Sequence, residues 1–329
     1  MGTMQPGAGR TEATGTPSWF TDVHAHFVPQ AYRQALLEQG INFPDGSPIP
    51  EWSAAGHVEA LDELGITTAM LSASSPGVEV DGRPEYWARL LSESGADERT
   101  EHPGRFGPLA ALPLPEIDAS LREIAHALDD LNADGFALLT HVQGVYLGDA
   151  RLDPVMEELN RREAVVFVHP TSPAGCAHVD MGRPAPLVEY LFDTTRAVIN
   201  LVLTATLSRY PAIRWIVPHN GAVLADVADR VHLFQQYVLH PPSELDVQQA
   251  LKGLFYEVGS SAPFPRAAAA VRTLTTDDHI LLGTDLPYAP PAAVRANIQR
   301  IRGGEYLEEP GLTQLCHGTA DILFPRLHP

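Results

Sequence analysis

The stretch FTDVHAHFVPQ, residues 20–30, follows a polar tail and has the composition of the first buried strand of the chain. Side chains at positions i and i+2 of a strand point to the same face, so His24 and His26 would direct both imidazole rings into one small volume. This pattern fits two interpretations: half of a metal site, or two histidines satisfied within the core. The rest of the sequence has to decide between them.

Seven further short apolar runs follow, and most are separated by stretches with helical periodicity. Nearly continuous apolar strands that alternate with helices indicate a parallel sheet covered by helices. Eight such units predict an α/β fold, namely a (β/α)8 TIM-type barrel with loop insertions after strands 1, 2 and 5. A doubly wound sheet would place a glycine-rich phosphate loop after strand 1, where HAHFVPQ stands instead. The predicted strands cover residues 19–27, 66–74, 105–114, 135–142, 164–170, 213–220, 254–261 and 279–287.

The length of 329 residues suits one such barrel with insertions, and we expect a single domain over residues 18–329. Residues 1–17 are rich in glycine, threonine and proline without periodicity, which predicts a disordered tail. The net charge of −19 argues against nucleic acid or an anionic membrane as a partner. Neither a membrane-spanning run nor a signal-peptide pattern occurs, and two cysteines form no disulfide framework, so a cytoplasmic location is expected.

Polar side chains occur where several of the predicted strands end. His24 and His26 end strand 1, His169 ends strand 5, His219 ends strand 6 and Asp285 ends strand 8. The carboxyl ends of the strands form the active site in barrels of this type, so these five side chains would converge on one pocket. Imidazole nitrogens and a carboxylate oxygen are suitable zinc ligands, with water completing a catalytic site. The joint pattern favours a metal site over five separate structural residues.

The segments DVHAHF, FVHPTSP, EYLFDTTRAV, RYPAIRWIVPHNGA and LLGTDLPY resemble the metal-dependent amidohydrolase superfamily, and the resemblance covers roughly residues 19–326. The subgroup that they resemble most contains the 6-methylsalicylate, γ-resorcylate and aminocarboxymuconate-semialdehyde decarboxylases. The match is specific for the superfamily and less specific for the substrate. It implies one divalent metal as the cofactor, zinc in the first place and manganese as the alternative.

Carried over motif by motif, the resemblance implies roles for five residues. His24, His26, His169 and Asp285 would be the ligands of the metal. His219, in the strand-6 motif PHNGA, would be a catalytic acid and base rather than a firm ligand. Histidine is the side chain that most readily both donates and accepts a proton at neutral pH. Asp285 would share the catalytic role while bound to the metal.

The lysine content limits the number of metals. Many hydrolytic members of the superfamily bridge two metals with a carboxylated lysine at the end of strand 4. The single lysine of this chain, Lys252, lies just before strand 7, and strand 4 ends in LLTHV. The residue inventory therefore excludes a dinuclear carbamate site and predicts a mononuclear one. Asp22, two residues before His24, would lie behind the ligands and orient a histidine ring.

Three residues are predicted to contact the substrate: Arg230, Trp52 and His141. A carboxylate substrate favours an arginine clamp, but residues 34–82 contain no Arg or Lys where some family decarboxylases supply one, and Trp52 occupies that region. Arg230 matches a family arginine that reaches a neighbouring subunit's site, although a solvent-exposed helix position fits it about as well. His141 ends strand 4 and would support the site, face the substrate or be an ordinary core histidine.

The resemblance implies non-oxidative decarboxylation of a hydroxylated aromatic, salicylate-like acid or of a conjugated carboxylic acid, which is the activity of a carboxy-lyase. The expected partner is a small-molecule substrate. The same residues would equally serve a hydrolase that attacks a lactone or an amide with a metal-bound water. A third interpretation is a metal-binding barrel without catalysis, which the intact ligand set together with His219 disfavours.

The helix LVEYLFDTTRAVINLVLTATL, residues 187–207, is hydrophobic nearly all round. Such a helix packs between the barrel and its insertions or forms a subunit interface, and we expect a homodimer. Within this helix, Arg196 is expected to be structural and to pair with Asp193.

Overall fold

The computed structural model describes residues 19–239, 246–260 and 265–327. Its main element is a closed barrel of eight parallel strands, which confirms the (β/α)8 prediction and the positions of its strands. The disordered tail expected over residues 1–17 lies outside the described residues. The strands, in chain order, are β1 (Thr21–His26), β2 (Thr68–Ser72), β3 (Phe106–Ala110), β4 (Gly135–Leu139), β5 (Val165–His169), β6 (Arg214–Val217), β7 (Phe255–Val258) and β8 (Ile280–Leu282).

Helices cover the outside of the barrel, which is why the strands are apolar on both faces. They are α1 (Gln30–Glu38), α2 (Ala54–Leu64), α3 (Pro84–Glu101), α4 (Ile117–Ala125), α5 (Asp153–Arg161), α6 (Glu189–Leu203), α7 (Thr206–Arg209), α8 (Leu224–Tyr237), α9 (Val247–Lys252), α10 (Pro265–Leu274), α11 (Pro291–Arg302), α12 (Gly311–Thr313) and α13 (Thr319–Leu323). Single turns of 3-10 or π helix lie at Pro44–Gly46, His126–Asp130, Ala150–Leu152, Cys176–His178, Ala185–Leu187, His219–Gly221, Asp277–His279 and Gln314–Gly318. A short hairpin joins His141–Val142 to Val145–Tyr146.

Helix α6 is shorter than the sequence predicts. It ends at Leu203, and Ala205 follows with a φ of 57°, a left-handed conformation that interrupts the helix before α7. Arg196 pairs with the buried carboxylate of Asp193 at 2.8 Å, as expected. Among the helices that the structure describes, none combines the length and the apolar character needed to span a bilayer.

The two ends of the barrel interior are filled differently. Strand β1 closes the barrel by pairing with β2 on one side and β8 on the other. Toward the amino ends of the strands, buried apolar side chains such as Met70, Phe167 and Leu281 pack with Leu323 and Phe324 at the end of α13. This apolar packing leaves the carboxyl ends of the strands as the place where polar side chains can face a pocket.

Three loops meet over the carboxyl ends of the strands. They comprise residues 27–53 between β1 and α2, residues 73–83 after β2, and residues 170–188 after β5. Gly46 in the first loop has a φ of 84°, and a Cβ there would lie 2.8 Å from Pro184 Cα in the third. The chain therefore requires a glycine at this crossing, where the first and third loops touch and form a rim above the barrel.

Strand β6 ends in a strained turn. His219 and Asn220 have a φ of 55°, Gly221 has 72° and Ala222 has 55° with a ψ of −123°. Residues other than glycine rarely adopt these angles, and each such residue costs about 1–3 kcal/mol. The motif PHNGA thus holds His219 and the residues after it in a strained backbone conformation.

We expect Ala222→Gly to stabilise the protein by about 1 kcal/mol, because glycine adopts this backbone conformation without a steric penalty. Thermal unfolding should shift upward by about 2 °C for a chain of this size. The matched control is Ala269→Gly on α10, where the loss of helix propensity should destabilise by about 1 kcal/mol. A melting temperature lowered equally by both substitutions would show that the turn stores no strain at Ala222.

Candidate metal centre

Four histidines and one aspartate meet at the carboxyl end of the barrel. His24 and His26 lie on β1, His169 ends β5, and His219 and Asp285 follow β6 and β8. All four histidines are buried, whereas the side chain of Asp285 remains 23% exposed. The structure therefore brings together the five residues that the sequence placed at matching strand ends.

The distances within this cluster are those of ligands around a single ion. His24 Nε2 and His26 Nε2 are 3.0 Å apart, and Asp285 Oδ1 lies 3.5 Å and 3.2 Å from them. The ligand atoms of His24, His26 and His169 lie within 4.8 Å of one another, as do those of His24, His219 and Asp285. Two ligands that each bind a metal at about 2.0–2.2 Å are separated by about 3–4 Å, so the geometry suits one ion.

His26 and His169 present the same nitrogen to the centre of the cluster. His26 Nδ1 donates to the carbonyl oxygen of Ser72 at 3.3 Å, and His169 Nδ1 donates to the carbonyl oxygen of Pro170 at 2.7 Å. A carbonyl oxygen only accepts, so each Nδ1 carries the proton and each Nε2 offers its lone pair. Because Nε2 lone pairs facing each other repel unless a cation lies between them, the donor set fits a divalent metal.

Burial and neighbouring charges shift the pKa values of the cluster in different directions. Burial opposes the charge of His24, but Asp285 and Glu257 outweigh it and raise the pKa of this histidine. Burial lowers the pKa of His26 and lowers that of His169 well below its ordinary value, which keeps both imidazoles neutral. Burial opposes the charge of Asp285, but His24, His219 and His26 outweigh it and hold the aspartate pKa well below its usual range. Neutral imidazoles beside an ionised carboxylate are the forms that bind a metal.

Glu257, on β7, is a residue of the site that the sequence analysis missed. It is fully buried, and its Oε2 accepts hydrogen bonds from His24 Nδ1 and from the His219 backbone N–H, each at 3.0 Å. Burial opposes its charge, but the contacts with His24 and His219 outweigh it and hold its pKa below the ordinary value. The available signal was a single acidic residue within the apolar strand LFYEVGSS.

Asp22 acts on the backbone and not on a histidine ring, which corrects the role expected for it. Its carboxylate accepts from the backbone N–H groups of His24 and Thr284, each at 3.0 Å, and from the Thr284 hydroxyl at 2.5 Å. Burial raises the pKa of Asp22 to about 7. The residue ties β1 to the segment that carries Asp285, and it is Glu257 that holds the His24 ring.

A cavity of about 240 Å³ opens above the cluster. His169, His219 and Asp285 form its foot, and aromatic rings, aliphatic side chains and hydroxyl groups form its walls. Within the part of the chain that the structure describes, no arginine or lysine lines it. The wall residues are Pro44, Ser47, Ser74, Ser75, Pro186, Leu187, Tyr190, Leu191, Ser260 and Tyr288.

Trp52 and Arg230, both predicted to contact the substrate, do not line this cavity. Trp52 donates from Nε1 to His57 Nδ1 at 3.0 Å, and its ring packs against Phe27 in the core beside α2. Arg230 is exposed on α8, with its guanidinium 4.7 Å from the centre of the Phe234 ring. Trp52 therefore packs within the protein and Arg230 faces solvent, so neither makes the expected substrate contact within this chain.

His141 does not line the cavity either. Its Nε2 donates to the carbonyl oxygen of Ser172 at 3.1 Å, and its Nδ1 accepts from the backbone N–H of Gly144 at 3.4 Å. Both ring nitrogens therefore serve the backbone of the hairpin and of the loop after β5. Of the alternatives open from the sequence, a structural histidine agrees with these contacts, and the expected substrate contact does not.

Comparisons with known proteins agree with this architecture. The model of the family described as Amidohydrolase matches residues 21–326. The 6-methylsalicylic acid decarboxylase acuB from Aspergillus aculeatus is 33% identical over 325 residues, which cover 93% of this chain and 96% of that protein. The crystal structure of a protein named amidohydrolase II is 30% identical and has a TM-score of 0.87, covering 93% of this chain and 99% of that one.

A manganese-bound structure shares the fold as well. The dihydroxybenzoic acid decarboxylase from Polaromonas sp. JS666 has a TM-score of 0.79 over 94% of this chain and 97% of that one. Its identity of 19% restricts the likeness to the fold. The family match and the histidine cluster together support a divalent metal in this chain.

We expect Glu257→Gln to weaken divalent-metal binding about 10- to 100-fold, because the amide lacks the charge that holds the proton on His24 Nδ1. Competition with a chelating dye measures the metal affinity, and circular dichroism checks the fold. The matched control is Glu123→Gln, a buried glutamate on the outer helix α4 that pairs with Arg89. Equal metal affinity in the two variants would contradict the role assigned to Glu257.

Proposed function

This chain belongs to the amidohydrolase family, and we propose that it is a metal-dependent, non-oxidative decarboxylase of a hydroxylated aromatic, salicylate-like acid. The observation that carries the proposal is the histidine and aspartate cluster at the foot of a cavity with aromatic walls. A relative that matches nearly the whole chain is named a 6-methylsalicylic acid decarboxylase, which supports this substrate class over a lactone or an amide.

The proposed metal ligands are His24, His26, His169 and Asp285, around one ion. Zinc suits three imidazoles and a carboxylate, and manganese is the alternative that the Polaromonas structure contains. When bound, the metal would supply Lewis-acid polarisation of a substrate oxygen. Lys252 ends α9 outside the barrel, so the chain's lysine is not available as a carbamate bridge to a second metal.

His219 is the proposed proton donor. It is buried at the foot of the cavity, and its Nε2 lies 4.0 Å from Asp285 Oδ2. A proton from His219 adds to the ring carbon that bears the carboxylate, and the bond from this carbon to the carboxylate then breaks. The electron pair of that bond restores the aromatic ring, CO₂ leaves, and water in the cavity reprotonates His219. The net reaction consumes one proton for each CO₂ released.

The assembly and location of the protein are also proposals. Helix α6 exposes Phe192 at 48% and Leu203 at 41%, and such apolar side chains on one helix favour a homodimer. The reach of Arg230 into a partner's site and the cytoplasmic location stay predictions from the sequence.

The direct test is incubation of the metal-loaded protein with 6-methylsalicylate. We expect CO₂ and 3-methylphenol to be released in equal amounts. Mass spectrometry measures the CO₂, and chromatography measures the phenol. The chelated protein serves as the control and should regain activity when zinc or manganese is added. Failure to release CO₂ from a panel of hydroxylated aromatic acids, together with hydrolysis of a lactone, would contradict the proposal.

Two further substitutions separate metal binding from proton transfer. We expect His24→Ala to lose the metal, because it removes a ligand from the centre of the cluster. His219→Asn should keep the metal and lose about 100- to 10,000-fold in kcat, since the amide cannot carry the proton. Metal analysis and steady-state kinetics of both variants check this division. Loss of metal from His219→Asn would make His219 a ligand, and retention by His24→Ala would refute the ligand set.

A further inference from the structure

The rim of the cavity is held together by a chain of hydrogen bonds around Asp45. Its Oδ2 accepts from the Tyr190 hydroxyl at 2.8 Å and from the Thr171 hydroxyl at 3.2 Å. The Thr171 hydroxyl lies 2.9 Å from the Ser75 hydroxyl in the loop after β2. These contacts join the three loops of the rim to α6, and they place a carboxylate directly behind the cavity wall.

Tyr190 lies between the Asp45 carboxylate and the histidines of the cluster. Its ring centre lies 5.9 Å from that of His169 and 6.5 Å from that of His219, while its hydroxyl reaches Asp45. The side chain lines the cavity from its foot to its rim. A substrate ring bound with its carboxylate at the foot would therefore lie beside Tyr190 and direct its opposite edge toward Asp45.

The charges around the cavity are unbalanced at the rim. At the foot, a bound divalent metal would offset the charges of Asp285 and of a substrate carboxylate. At the rim, the carboxylate of Asp45 has no guanidinium or ammonium partner within 4.0 Å among the described residues. Among the residues that the structure does not describe, Arg10 is the one arginine or lysine in the sequence. A second negative group on the substrate would thus approach the Asp45 carboxylate behind the wall, without a compensating cation from the described residues.

We propose that Asp45 is a specificity-determining residue that restricts the substrate to aromatic acids with a single anionic group. The proposal rests on the proposed decarboxylase function and names its substrate class more narrowly. A neutral or hydrogen-bond-donating substituent fits the edge of the ring that faces the rim, and a second carboxylate is rejected by charge.

The variant Asp45→Asn isolates the charge from the shape. Asp45 has a φ of 52° and a ψ of 23°, a left-handed conformation that asparagine adopts readily. The amide oxygen still accepts from the Tyr190 and Thr171 hydroxyls, so the rim keeps its hydrogen bonds. Asp45→Gly also suits this backbone and serves as a second variant. The control is Asp180→Asn in the loop after β5, because this carboxylate accepts from the Gly182 N–H, whereas that of Asp45 accepts from the cavity-lining Tyr190.

The test compares a diacid with its isosteric amide, namely 5-carboxysalicylate with 5-carbamoylsalicylate. The same comparison is repeated with the pair substituted at ring position 4. In the unmodified protein we expect kcat/KM for the amide to exceed that for the diacid at least tenfold. Asp45→Asn should reduce this preference about tenfold and leave kcat/KM for the amide within about threefold, and Asp180→Asn should leave the preference unchanged.

Two results would overturn the proposal. The first is an equal kcat/KM of the unmodified protein for the diacid and the amide. An arginine from a second copy that neutralised Asp45 would produce this result. The second is a preference that persists in both Asp45 variants. If neither acid nor 6-methylsalicylate releases CO₂, the proposed function is at fault. Calorimetric dissociation constants of the same acids, measured on the metal-loaded variants, then still decide whether Asp45 discriminates.

Discussion

The carboxylate of Glu257 holds three segments of the site in a fixed relation. It accepts hydrogen bonds from the ring of His24 on β1, from the backbone of His219 after β6, and from the backbone of Ser260 after β7. The ends of these three strands are thereby hydrogen-bonded to the same buried carboxylate. A charge at this depth persists only when it is hydrogen-bonded, and these three N–H groups supply hydrogen bonds to it.

Strand β8 is adapted to this anion. A Cβ on Gly283 would overlap the Glu257 side chain, so no other residue fits at that position without displacing the carboxylate. Asp22 fastens the next turn of the chain through Thr284, and that turn presents Asp285 to the histidines. The positions of the ligand atoms thus follow from backbone packing between neighbouring strands, and not from the ligands alone.

Much of this architecture follows from the sequence. The alternation of apolar strands and helices predicts the barrel because parallel strands are buried on both faces, and a strand that ends in His or Asp marks the carboxyl end of a barrel. Glu257 escapes such reasoning because one acidic residue in an apolar strand does not reveal which neighbour it meets. Trp52 and His141 escape it because loop side chains are buried by contacts between distant segments. Asp22 shares a strand face with the histidines, yet it binds two backbone N–H groups and the Thr284 hydroxyl, and the sequence does not show that it binds these groups rather than a histidine ring.

The hydrogen bonds of the four imidazoles divide them into two kinds. His24, His26 and His169 each use Nδ1 to hold an anion or a carbonyl oxygen, so rotation of any of these rings would break a buried hydrogen bond. His219 Nδ1 is buried and has no hydrogen-bond partner among the described residues. Its ring can therefore turn about χ2 without losing a contact at that nitrogen. The cluster therefore combines three imidazoles that are anchored at Nδ1 with one, His219, whose Nδ1 has no such anchor among the described residues.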